Sequence, residues 1–512
     1  MSLSLQIPFS NAYAALPERF YARVLPTPVK NPALIRFNST LAQELGIELN
    51  TASSSACSSD NNSDNELAQI FSGNQIPDNA APLAMAYSGH QFGQLNPQLG
   101  DGRAILLGDL LDIQGQRRDI QLKGSGRTPF SRSGDGRSPL GPVLREYILC
   151  EAMHALGVPT TRALAAVSSG EWVIRDGREP GAVFTRVAAS HIRVGTFQYF
   201  ALRRDGEAVK QLADHVLARH YPHINSSDDD AYLQLFEAIC HKQAELIAQW
   251  MQLGFIHGVM NTDNMTVSGE AIDYGPCAFM DAYHPETVFS SIDRHGRYAY
   301  QNQPAIGQWN LARLAETLLP LFNDDEKIAV EKATAILQDF ALWQQQAWLE
   351  HMREKVGFSA LKNSDQALIE NLLALLAEGR IDYTLFFRRL SDCSQPDSER
   401  QALLELLNLP ECRSSATLVQ NINDWLDDWQ QQLIQRGDSD SAEQRMLNKN
   451  PAYIARNHRV AEAIAAAEEG DFSVFEQLLQ VLAEPYRSKA EYADYEQPPK
   501  PDEKVLRTFC GT

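Results

Sequence analysis

The pattern of apolar residues changes character once along the chain. Between residue 81 and Arg193 it consists of short alternating runs bounded by glycines: Arg103–Leu110, Arg118–Lys123, Arg162–Val167 and Ala182–Val187, with Ile113–Gln116 as the turn joining the first two. After Arg193 it is helical almost to the end. Tyr232–Leu253 repeats Phe236, Ile239, Leu246, Trp250 and Leu253 along one face and stops at Gly254. Amphipathic runs follow: NLARLAETLLPLF, Glu326–Val356, QALIENLLALLAEG, QALLELLNL and LVQNINDWLDDWQQQLI. Their leucine and aromatic stripes are core. A strand-rich part followed by a mostly helical part predicts an α+β fold.

The one helix predicted inside the strand-rich part begins near Pro142 and runs to Gly157. It carries Glu146 on the apolar face of Cys150 and Met153, so the carboxylate needs a cation, and Lys123 at the end of a strand is the candidate. An exposed position with nothing attached is the plainer alternative. Cys150 and His154 stand four apart, but with no second pair nearby core packing explains them.

Two glycine-rich stretches flank these strands. Tyr87–Gly102, YSGHQFGQLNPQLGDG, contains Gly93, Gly100 and Gly102, where backbone N–H groups can approach phosphate oxygens, although glycine turns before strands are common. The loop GSGRTPFSRSGDGRSPLGP carries Arg127, Arg132 and Arg137, either a phosphate cradle or a solvated basic loop.

The densest chemistry lies in His257–Asp281, HGVMNTDNMTVSGEAIDYGPCAFMD. A tight turn at Ser268-Gly269 would set Val267 opposite Glu270, Met265 opposite Ile272 and Asn264 beside Asp273, with Asp263 one residue away. An amide oxygen and a carboxylate suit a hard cation such as Mg²⁺, leaving one acid as a base. Asp and Asn also gather at turns for backbone reasons alone.

Composition narrows the partners. With 512 residues, 44% hydrophobic and 21% charged, the chain reads as an ordinary globular protein. A net charge of −20 and a pI near 5.1 argue against wrapping nucleic acid or lying on anionic lipid. The first residues lack secretory or mitochondrial character, no apolar run is of membrane length, and seven cysteines without a CxxC fit a reducing compartment. A cytoplasmic monomer is expected. Residues 51–65, TASSSACSSDNNSDN, read as a mobile loop, and NSTLAQELGI before it as a helix capped by Ser39 or Thr40.

Glycine-rich loop, strand lysine, helix glutamate and then, past a long helix, Asp-Asn and Asp-Tyr-Gly follow the order of a protein-kinase nucleotide site. There are departures. Asp263 and Asn264 adjoin where kinases separate the pair by several residues, His257 is not followed by Arg-Asp, and the glycine spacing is unusual. Reading only those departures would give a nucleotide-binding scaffold or redox sensor without turnover.

The segments YSGHQFGQLNPQLGDGR, QLKGSGRTPFSRSGDGRSPL, REYILCEAMHALGVPTTRAL, HGVMNTDNM and IDYGPCAFMD closely resemble the selenoprotein O (SelO) family of atypical kinases. The resemblance runs from FYARVLPTPV to NPAYIARNHRVAEAI. It implies a bilobal protein-kinase-like fold: an extension over 1–80, a strand-rich N-lobe over 81–202, a helical C-lobe over 203–486 with the site at 257–281, and a tail over 487–512. It implies AMP transfer from ATP, bound in a flipped orientation, to Ser, Thr or Tyr hydroxyls of proteins, redox-related ones among them. By that resemblance ATP contacts fall on Gly100, Gly102, Arg103, Lys123, Asp135, Gly136, Arg186, Arg193 and Asp273. Asp263 is the base, Asn264 and Asp273 hold Mg²⁺ or Mn²⁺, and Glu146 pairs with Lys123. Family members often carry selenocysteine third from the end, where Cys510 stands here, and Cys277 four residues past Asp273 is its proposed redox partner. Two unrelated thiols remain the alternative. Ordinary phosphorylation and Mn²⁺-dependent UMP transfer from UTP are rival reactions.

Overall fold

The computed structural model describes residues 5–49, 61–395 and 400–509. Its strands are β1 (Tyr21–Arg23), β2 (Ala33–Phe37), β3 (Leu83–Met85), β4 (Gly89–Gln91), β5 (Gln94–Asn96), β6 (Ala104–Leu111), β7 (Arg117–Lys123), β8 (Ser138–Pro139), β9 (Arg162–Ile174) and β10 (Arg178–Ala188). All but the β4–β5 hairpin join one eight-stranded sheet in the order β1-β3-β6-β7-β10-β9-β2, with β8 on β10. Its pairings are antiparallel. A shorter ladder outside it joins Leu5–Gln6 to Glu48–Leu49.

Alternation along β7 divides the sheet's two faces. Ile120 and Leu122 are buried with Leu67 and Phe71 of the helix Asn61–Phe71, so Gln121 and Lys123 point the other way. On that side lies helix α1 (Leu140–Ala155), whose Val143, Leu144 and Ile148 share a core with Phe184 of β10. The same core continues through α2 (Val194–Leu202), α3 (Gly206–His220), α4 (Ala231–Leu253), α5 (Gln303–Phe322) and α6 (Glu326–Lys355). A separate core around Leu372, Phe386, Trp425 and Trp429 unites the later helices.

Most predicted elements are present, and the differences have local causes. The helix Ser39–Glu44 is capped by Asn38, whose Oδ1 accepts from Leu41 N at 3.0 Å, one position before the expected caps. Helix Asn61–Phe71 takes the last five positions of the stretch read as a loop, and residues 50–60 lie outside the described ones. β9 runs on to Ile174 because the chain bulges between Ser168 and Trp172 and resumes pairing with β10. QALLELLNL is a single turn, Gln401–Leu404, followed by a 3₁₀ stretch, Glu405–Asn408. Cys150 is a core residue, its sulfur 3.4 Å from Thr161 Oγ1. No helix among the described residues is long and apolar enough to cross a membrane.

Gly254 closes α4 in the left-handed conformation, φ 70°, and releases the chain into β11 (Phe255–Ile256). β11 pairs with β12 (Ala278–Phe279), so the segment 257–277 is a loop held shut at its base.

Candidate active site

Two carboxylates, Asp263 and Asp273, lie on this loop, and the cations that reach Asp273 come from the sheet and from the start of α2. Lys123, the last residue of β7, places Nζ 2.5 Å from Glu146 Oε2 and 3.0 Å from Asp273 Oδ1. Arg186 on β10 stands opposite Gln121 in the ladder, and its Nη2 donates to Gln121 Oε1 at 2.7 Å. Its Nη1 lies 3.0 Å from Glu146 Oε1 and 2.7 Å from Asp273 Oδ1. Arg193, at the start of α2, has Nη1 3.3 Å from Asp273 Oδ2 and 3.0 Å from the Asp263 carbonyl oxygen, with its guanidinium 4.6 Å from the Tyr87 ring centre. The expected Lys123–Glu146 pair is present, and Arg186 makes it a four-member network.

Asp273 holds φ at 64°, a conformation uncommon outside glycine. Burial works against its charge, yet Arg186, Lys123 and Arg193 together hold the carboxyl well below the usual range. Asp263 behaves oppositely. Burial pushes it up to about 6, only partly offset by Arg193. Its Oδ2 accepts from Gln91 Nε2 at 3.2 Å, while Oδ1 is buried with no partner. Arg186 Nε and Arg193 Nε are likewise buried and unpartnered. Such atoms call for a ligand or water to complete them.

The hairpin expected at Ser268-Gly269 is not what brings the acids together. Gly269 does turn, with φ 82°, but Thr266 bridges to Arg193 and Ala271 to Thr160 rather than to each other. Thr266 Oγ1 closes the turn by donating to Glu270 O at 2.7 Å and accepting from Glu270 N at 3.1 Å. Arg193, not a local ladder, links the Asp263–Asn264 corner to Asp273. Asn264 donates Nδ2 to Val259 O at 2.9 Å, which directs the amide oxygen away as an acceptor.

The two glycine-rich loops are laced to one another. Thr128 Oγ1 donates to Asp101 O at 2.6 Å, and Ser131 Oγ donates to Gly102 O. Gly100 sits at φ 76° where any Cβ would fall 2.4 Å from the Phe130 ring, and at Gly136 one would fall 2.1 Å from Gly126 backbone. The Arg103 carbonyl accepts from Gly124 N at 2.7 Å. Asp135 stands apart from the Lys123 cluster, held by both terminal nitrogens of Arg175 at 3.0 Å. Arg137 donates to Thr27 O and Pro28 O, both at 2.9 Å, and Arg127 to Arg132 O at 3.1 Å, so these two arginines tie the loop down.

Several participants went unnoticed in the sequence. Gln121 shares a face with Lys123 by simple alternation, a signal that was available. Gln91 and Gly89 carried none: they reach Asp263 through the β4–β5 hairpin, whose His90 N donates to Thr262 Oγ1 at 2.7 Å. Arg145, next to Glu146, donates to Gly275 O at 2.9 Å and also to Cys277 O and Asn457 Oδ1, fixing the chain just past Asp273. Cys277 is fully buried, and burial pushes its thiol up to about 12. Cys510 lies outside the described residues.

Positive charge concentrated on one carboxylate, beside a second carboxylate left half-satisfied and raised to about 6, suits a phosphate-handling transferase. Comparison with known proteins narrows that class. The profile of the family described as protein adenylyltransferase SelO matches residues 3–483. A protein nucleotidyltransferase YdiU from Rhizobium etli (strain CIAT 652) is 55% identical over 98% of this chain and 97% of its own. Those of Rhizobium meliloti (strain 1021), at 55% over 98% and 99%, and Bradyrhizobium diazoefficiens, at 52% over the whole of both chains, agree. The chain belongs to the SelO family and is a nucleotidyltransferase.

Proposed function

We propose that the enzyme transfers AMP from ATP to Ser, Thr or Tyr hydroxyls of proteins and releases pyrophosphate. The observation that carries this reading is Asp263 Oδ1: a buried, unpartnered carboxylate oxygen, on a group raised to about 6, beside three cations gathered on Asp273. Asp263 takes the proton of the acceptor hydroxyl, whose oxygen attacks the α-phosphorus. The bond to pyrophosphate breaks, and negative charge grows on the β- and γ-phosphates. Lys123, Arg186, Arg193 and Arg103 receive that charge, and Glu146 keeps Lys123 and Arg186 in place. The loops bearing Gly100, Gly102, Asp135 and Gly136 enclose the nucleotide, in a kinase-like cleft between a sheet-bearing lobe and a helical one.

Asn264 and Asp273 are the residues that would hold Mg²⁺ or Mn²⁺. No group of three or more His, Cys, Asp and Glu side chains converges on a metal position among the described residues. Two protein donors suit a hard cation that takes its other ligands from phosphates and water. Such an ion, when bound, neutralises phosphate charge.

A redox control fits the tail. Thr508, two positions before Cys510, donates Oγ1 to Pro276 O at 2.5 Å and N to Phe289 O at 2.9 Å, which brings the tail beside Cys277. Intact mass of an acceptor protein after incubation with ATP or UTP, and Mg²⁺ or Mn²⁺, tests the reaction. Added AMP supports it; only added UMP or only added phosphate rejects it.

A further inference from the structure

A second positive group approaches the base through a different element. Lys123, Arg186 and Arg193 all bear on Asp273, whereas Arg297 is reached from Asp263 through the β4–β5 hairpin. Gln91 donates to Asp263, Phe92 N donates to Tyr298 Oη at 3.1 Å, and a Cβ on Gly93 would lie 3.5 Å from Arg297 Cζ. Gln91 ends β4, and Phe92-Gly93 is the two-residue turn that follows it, with φ 53° and 82°.

Arg297 is held by rings rather than by acids. Its guanidinium lies 4.8 Å from the Trp309 ring centre and 5.7 Å from that of Tyr298. Arg313 also sits on Trp309, at 5.1 Å, and His90 meets the same ring edge-on at 5.2 Å. Arg313 has Glu316 at 2.7 Å, but Arg297 has no carboxylate within ion-pairing distance among the described residues. Asp293, the acid nearest in sequence, accepts instead from the backbone N–H of Arg297 at 3.0 Å and of Tyr298 at 2.8 Å. Arg297 Nε is buried without a partner. Exposed Arg294 adds positive charge to the same segment, in a chain of net charge −20.

A guanidinium fixed on aromatic rings and lacking an anion is prepared for a carboxylate, which it can grip with two parallel hydrogen bonds. We infer that Arg297, seated on Trp309 and Tyr298, selects protein acceptors that carry Asp or Glu near the target hydroxyl. This rests on the transfer to protein hydroxyls proposed above and names the acceptor class.

The test uses the full chain with α-phosphate-labelled ATP and synthetic peptides in which Ser, Thr or Tyr is flanked by Asp, Gln or Lys. The wild type is expected to label Asp-flanked peptides about tenfold more efficiently in kcat/KM than Lys-flanked ones. Arg297→Ala removes the preference, Arg297→Glu reverses it, and Arg297→Lys keeps part of it. The ratio is read within each variant, so partial loss of folded enzyme does not affect it. Wild-type ratios retained by Arg297→Ala and Arg297→Glu overturn the inference and leave the transfer reaction standing. If both variants are inert, wild type alone decides: the acid preference must shrink as salt rises, and a salt-independent ratio overturns it. No label transfer to any peptide or folded protein by wild type overturns both readings.

Discussion

Gln91 donates to Asp263 across 172 positions of sequence, its Nε2 3.2 Å from Oδ2. One carboxylate oxygen is thereby fixed and the other, Oδ1, is left to work. The hairpin that carries Gln91 is pinned to the same loop through His90 N and Thr262, so the base is positioned by a remote segment rather than by its own turn.

Gly89 fits this contact tightly, since a Cβ there would fall 2.2 Å from Asp263 Oδ1. Gly89→Ala should therefore displace the base and lower kcat by about 10²-fold, within the range expected for losing general-base catalysis. Nucleotide affinity, measured by titration of a fluorescent ATP analogue, should change little. Wild-type turnover in this variant would contradict the placement of the base.

Activity should rise with pH through an apparent pKa near 6, because Asp263, raised by burial, accepts a proton only when ionised. Below that value the base is neutral and the rate falls about tenfold per pH unit. Asp273, held well below the ordinary carboxylate range, stays ionised throughout this window. A pH profile of kcat for wild type and Asp263→Asn checks this: the acidic limb should vanish with the carboxylate.

Among the described residues, Glu146 and Asp273 are the two acids in contact with both Lys123 and Arg186. Glu146→Gln leaves buried Arg186 and half-buried Lys123 sharing one carboxylate and should cost about 2–3 kcal/mol of stability. A lower melting temperature and a raised KM for ATP are the expected readings, with Glu146→Asp restoring part of each.

Oxidation by a disulfide reagent should join Cys277 to Cys510, the thiols losing two protons and two electrons to the reagent. Because the Cys277 thiol is buried and pushed up to about 12, attack should begin from a reagent adduct on Cys510 and be slow. Non-reducing electrophoresis of wild type against Cys510→Ser reads the bond as a mobility difference; no oxidant-dependent difference counts against it.

The parts of this site that were legible in the sequence are those carried by regular elements. Lys123 and Glu146 could be matched because a strand end and an apolar helix face each leave one charged residue without an explanation. Arg186 fell within the predicted strand Ala182–Val187 while its role came from the family resemblance, and α4 ended at Gly254 as its pattern required. The turn at Ser268-Gly269 misled because Thr266 and Ala271 pair with Arg193 and Thr160, far away in sequence. A tight local turn and a tertiary bridge call for the same residues. Gln91, Arg145 and Arg297 were illegible because a polar residue in a short hairpin, on a helix or in a loop does not reveal what lies across from it.

The most direct measurement follows the phosphorus atoms. Purified protein is incubated with Mg²⁺ or Mn²⁺ and with ATP labelled at the α-phosphate or, in parallel, at the γ-phosphate, and protein-bound label is counted. Label from the α-position alone, lost in Asp263→Ala and Asp273→Ala, is the predicted result. Label from the γ-position alone would contradict the account, for the nucleotide would then present its far end to Asp263.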